Sequence, residues 1–139
     1  MAGKTYYARG QTLQAVLTPG RARLPQVLYL AVTTNVPGLG HDATSAYLSE
    51  PRDPAYQRVA VPCDEEHWAF APGTRCFNRL EVLFPVPTTD WGVLLGWALC
   101  TEVSGGWPWY GGELVHPVRV VGGPDAEVVV PPGALVITE

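Results

Sequence analysis

Lysine occurs once in these 139 residues, asparagine only at positions 35 and 78 and methionine only at position 1. A shortage of labile side chains, with proline in many apparent loops, suits a protein from a hot environment, although a GC-rich genome would enrich arginine, alanine, glycine and proline as well. Long apolar runs are missing too. The longest, residues 91–100, is about half a bilayer span, and residues 1–20 contain no continuous apolar stretch of the kind a secretion signal needs. The expectation is a soluble chain made in the cytoplasm, without a membrane partner. Three cysteines, an odd number without a secretion signal, argue against a disulfide framework and for reduced, mostly buried thiols. Charged residues make up only 16% while 15 glycines and 14 prolines are spread along the chain, which favours short strands and turns around one core.

The charges that are present are unevenly placed. Residues 1–23 hold Lys4, Arg9, Arg21 and Arg23 and no acid, a net charge of +4; the other five arginines stand against all 13 acids, so the remainder carries −8. A basic lead segment thus precedes an acidic body. Its cations are interleaved with Tyr, Leu and Val and form no polybasic run, so direct nucleic-acid binding is not expected.

Residues 10–17 (GQTLQAVL) place Leu13, Val16 and Leu17 at i, i+3 and i+4 ahead of Pro19 and Gly20. This spacing predicts one or two helical turns, too short to stand alone, that must dock on the chain's own body or on a neighbour. Residues 26–34 (QVLYLAVTT) are apolar on both faces and predict a central strand. Residues 35–54 read as a long loop, a class that is usually functional or mobile. Strands are further predicted at 56–61, at 79–84 as a half-buried strand, and at 91–102, where Gly92 and Gly96 point to a bulge; residues 64–73 read as a polar excursion. Four short β-branched segments follow, at 109–115, 118–121, 126–130 and 135–138. The pattern predicts an all-β chain: an antiparallel β-sandwich or jelly-roll-like barrel of about eight strands over residues 26–139, behind an N-terminal arm, 1–25, that contains a helical turn.

Groupings that could carry chemistry are weak. Cys63, His67 and Cys76 have metal-ligand types, but a fourth ligand would have to come from Cys100, His41 or His116, and separate thiols with an exposed loop histidine is the preferred reading. None of Ser45, Ser49 and Ser104 lies in a G-x-S-x-G elbow. The run Asp64-Glu65-Glu66 reads as a solvated surface, and Gly38-Leu39-Gly40 lacks the residues that complete a phosphate loop. No catalytic, cofactor-binding or metal-binding residue is therefore expected. Trp107, Trp109 and Tyr110 crowd one Gly/Pro turn, either as a contact surface or as a cap on the open end of the sandwich.

From residue 26 onward the order of segments resembles small phage virion proteins of the tail-fibre-like or head-decoration kind. The matching pieces are 28–34 (LYLAVTT), 56–58 (YQR), 83–92 (LFPVPTTDWG) and 132–137 (PGALVI), with 96–99 (GWAL) and 110–114 (YGGEL) between them. The loop from Cys63 to Cys76, with its acids and Trp68, departs from the glycine-, serine- and threonine-rich middle usual in that family. Together with the composition and the basic start, the chain is most similar to capsid decoration proteins of long-tailed phages from hot environments. That resemblance implies a structural, non-enzymatic protein that forms homotrimers on the outer capsid surface of the virion, cements the shell through its major capsid protein, and has no small-molecule substrate. Contacts would come from Lys4, Tyr6, Tyr7, Arg9, Leu13, Leu17, Arg21 and Arg23 in the arm and from Trp107, Trp109 and Tyr110 in the turn. The alternatives are a phage tail or fibre-associated protein or, in a different class, a small β-fold carbohydrate-binding module or glycosidase using the three aromatics with Glu113 or Asp125.

Overall fold

The computed structural model describes residues 3–18, 20, 24–38 and 45–138. Among these residues there are ten strands, β1 (Gly3–Lys4), β2 (Val27–Thr33), β3 (Val59–Pro62), β4 (Trp68–Ala71), β5 (Arg75–Asn78), β6 (Val82–Leu83), β7 (Gly92–Cys100), β8 (Pro108–Val120), β9 (Val129–Val130) and β10 (Val136–Thr138), with one α-helix, α1 (Tyr6–Leu17), and a short 3-10 turn at Ser45–Tyr47. All strand pairs are antiparallel: a five-stranded sheet in the order β1-β8-β7-β2-β3, a three-stranded sheet β10-β5-β4, and the pair β6-β9. The fold is the expected all-β sandwich with a short N-terminal helix.

Alternation along β2 sends Leu28, Leu30 and Val32 to the face that builds the core, where Leu30 is paired with Leu99 and Leu99 with Tyr110. Trp68, Leu135 and Ile137 from the small sheet and its approach, with Val82, Phe84 and Val128, complete that core. The opposite face is paved with small side chains: Ala31, Thr33, Ala98 and Cys100 are all fully buried. A Cβ added at Gly96 would stand 2.5 Å from Pro37 Cδ and 2.6 Å from Asn35 O, so the chain after β2 lies directly on this strand.

Several elements differ from expectation. The helix begins four residues earlier than predicted, because Thr5 supplies an N-cap that the apolar spacing does not reveal. The predicted excursion at 64–73 contains β4, which forms a hairpin with β5 across a turn where Gly73 takes φ 92°. The half-buried strand at 79–84 shrinks to β6, since Asn78 Nδ2 donates to Leu80 O and bends the chain before it. The predicted strands at 109–115 and 118–121 are one strand, β8: Pro117 falls in a bulge where Leu95 stands opposite residues 114–117, so the missing N–H breaks no ladder bond.

Candidate functional site

The arm begins as part of the body. Gly3 pairs with Gly111 and Lys4 with Tyr110, which makes β1 an edge strand on β8. Thr5, fully buried, then caps α1: its Oγ1 accepts from Ala8 N at 3.2 Å and donates to Pro108 O at 2.7 Å, while its backbone N donates to Trp109 O at 3.1 Å. Tyr7 stacks on Trp107, with ring centroids 4.8 Å apart and planes 10° apart, and meets Trp109 edge-on at 5.7 Å. Ala8 is fully buried. The expected dock of the helical piece is thus, for its first turn, the chain's own β8.

The candidate contact residues are accordingly divided. Trp109 is buried against Tyr7 of the helix, Trp107 is 43% exposed and stacked on the same Tyr7, and Tyr110, one residue on along the strand, faces the core side of the sheet beside Leu99. The three aromatics therefore do not form one platform, which removes the geometry that the carbohydrate-stacking alternative requires. Glu113 lies on β8 and Asp125 in the turn before β9. Tyr6, with the Arg9 guanidinium 5.4 Å from its ring centre, is exposed, as are Leu13, Val16 and Leu17. Arg21 and Arg23, like His41, lie outside the described residues.

The loop with metal-ligand residue types has a different geometry. Among the described residues no group of three His, Cys, Asp or Glu side chains could hold a metal ion. His67 Nδ1 lies 2.6 Å from Asp64 Oδ1, and this contact, together with the backbone N–H groups of His67 and Glu66, holds the Asp64 carboxyl below its ordinary range. Cys63 is exposed, and Cys100 is buried on the far face, where burial pushes its thiol up to about 11. Cys63 and Cys76 both line a pocket of about 350 Å³ between the two sheets, walled by Trp68, Phe70, Leu99 and Ile137, with Asp64 and Glu65 at its rim.

The segments that carried the resemblance are structural clamps. In LFPVPTTDWG, Thr88 N, Thr88 Oγ1, Thr89 N and Trp91 Nε1 all donate to the buried carboxylate of Asp53, which also accepts from Ala55 N. Trp91 meets Tyr56 and Phe84 edge-on, at 5.3 and 6.2 Å. In PPGAL, Leu135 N donates to Asn78 Oδ1, Asn78 Nδ2 to Pro131 O, and Gly133 N to Asn78 O. A third clamp is the bidentate pair Arg58–Glu50, whose guanidinium also donates to Glu102 O and Gly105 O. No buried side-chain nitrogen or oxygen among the described residues lacks a hydrogen-bond partner.

A rigid antiparallel sandwich whose motif residues fasten its own loops fits a structural protein, and the family comparison agrees. The sequence model of the podophage GP4 fiber I protein gp80 family matches residues 3–138. The chain belongs to this family. It is thus a phage virion protein of the fibre-like kind, and the match runs from β1 through β10 and includes the N-terminal helix. No curated protein matches the chain. Arg58 stands in the YQR piece that the sequence reading singled out, whereas Asp53, Glu50 and Phe70 were not visible as important from sequence. Asp53 and Glu50 sit in a Gly/Pro-rich stretch without periodicity; the one available signal was that two acids and an arginine stand close together around Tyr56.

Proposed function

We propose that this chain is a non-catalytic structural component of a phage fibre, a homotrimer that joins the virion through side-chain contacts and needs no cofactor, nucleic acid, membrane or small-molecule substrate. The observation that carries the reading is the fibre family's match over residues 3–138, which covers the sandwich and the helix together. The internal clamps around Asp53, Asn78 and Arg58 support it, because a load-carrying subunit requires loops that do not move independently of the sheets. Capsid decoration, with trimers on the outer shell against the major capsid protein, would use the same rigid body; the family's fibre description favours the fibre. Particles assembled without this chain separate the two. The fibre reading expects heads that keep their DNA on heating while adsorption to host cells falls; heat-fragile heads with normal adsorption would establish decoration instead. The arginine- and proline-rich composition adds an expectation of hot origin: the purified chain should unfold above the roughly 45–65 °C typical of mesophile domains, and a midpoint inside that range would leave genome composition as the explanation.

A further inference from the structure

Beyond its capped first turn, α1 presents a face that no described residue covers. Leu13, Val16 and Leu17 are 60, 69 and 72% exposed and stand at i, i+3 and i+4, the spacing by which a helix enters an apolar groove. No acid occurs in residues 1–23, which carry Lys4, Arg9, Arg21 and Arg23. The complementary surface is on the same chain. The pocket of about 350 Å³ between the sheets is walled by apolar side chains, Phe70 at its mouth is 79% exposed, and the rim carries Asp64 and Glu65. An apolar stripe in a cationic segment and an apolar pocket with an anionic rim match in both hydrophobicity and sign.

We propose that α1 of one copy docks in the pocket of a second copy, with Leu13, Val16 and Leu17 against Trp68 and Phe70, in a segment whose net positive charge complements Asp64 and Glu65. This deepens the reading of the chain as a self-assembling fibre subunit and rests on it. Stripe and pocket are different surfaces, so the contact is heterologous: each copy gives one helix and receives another, and the assembly is a ring where the rotation closes and a filament where it does not.

Such a contact has a test that an isologous interface fails. A Leu13→Asp, Leu17→Asp variant keeps an intact pocket; a Phe70→Asp, Glu65→Lys variant keeps an intact helix. All four positions are exposed, so both variants should fold, as circular dichroism will show. Sedimentation of the full-length chain should show the wild type self-associated and each variant weakened at least about 10-fold. Mixing the two variants should give a one-to-one heterodimer that grows no further, because only one intact stripe and one intact pocket remain. A wild type that stays monomeric, variants that assemble like the wild type, or a mixture without heterodimer would each overturn the proposal. Should either variant fail to fold, the milder Leu13→Ala, Leu17→Ala and Glu65→Gln variants decide it by the same loss of association. Absence of this contact while the chain is still found in fibres would leave the functional reading standing.

Discussion

Donors from Ala55, Thr88, Thr89 and Trp91 converge on the Asp53 carboxylate and tie the chain before β3 to the chain before β7. Burial would push this carboxyl up, but the hydrogen bonds, led by the Thr88 hydroxyl, outweigh it and hold the pKa well below the carboxylate range. A depressed folded-state pKa contributes stability that is present above the unfolded value of about 3.9 and is lost as pH falls below it toward the folded value. Thermal unfolding from pH 7 to pH 2 should therefore show a falling midpoint below about pH 4, with a shallower fall in Asp53→Asn, which is less stable at pH 7; equal acid slopes would refute this role. Asn78 is buried and joins three strand ends through Leu80 O, Pro131 O and Leu135 N. Its replacement by alanine leaves those groups unpaired, and denaturant titration should find a loss of about 3 kcal/mol. At this scale the sequence was half legible. Thr88, Thr89 and Trp91 stood out as a motif, but the acceptor they share is 35 residues distant from Thr88 in a stretch with no pattern, and only folding brings the two together.

Strands with a clear period were recovered and those without were not. Residues 26–34 contain β2 and residues 91–102 contain β7, including the bulge that Gly96 suggested, because alternation and a glycine act locally. The β4–β5 hairpin was hidden by the acids at 64–66 and by its shortness; it is held by Trp68 in the core and by the pairing of β5 with β10, contacts that no local pattern announces. β8 was split at Pro117, a rule about ladder hydrogen bonds that does not apply inside a bulge. Gly96 gives the element-scale prediction. Gly96→Ala must displace Pro37 or Asn35, and overpacking of this kind should cost about 1–3 kcal/mol in chemical denaturation; an unchanged midpoint would mean that the segment does not rest on β7. Thr5→Ala removes both the cap of α1 and a buried donor to Pro108 O, so it should lower stability by about 1–3 kcal/mol. If instead the helix were an independent arm, that variant would unfold at the wild-type denaturant concentration.

For the molecule as a whole, composition and segment order were enough to expect an all-β virion protein, since punctuation by glycine and proline reports a sandwich at any register. They were not enough to choose between head and tail, because both settings select the same properties: a rigid body, fastened loops and a surface that neighbours can bind. The aromatic turn illustrates why surface function is the least legible. Trp107, Trp109 and Tyr110 are adjacent in sequence, yet strand alternation and the helix send them to a stacked surface pair, a buried place against the helix and the pocket wall. A fibre subunit is defined by its place in the virion, and cryo-electron microscopy of the intact particle containing this chain reads that place. Density for the sandwich is expected in copies along or at the base of the fibres. Density in a regular array over the capsid shell, with none in the fibres, would contradict it.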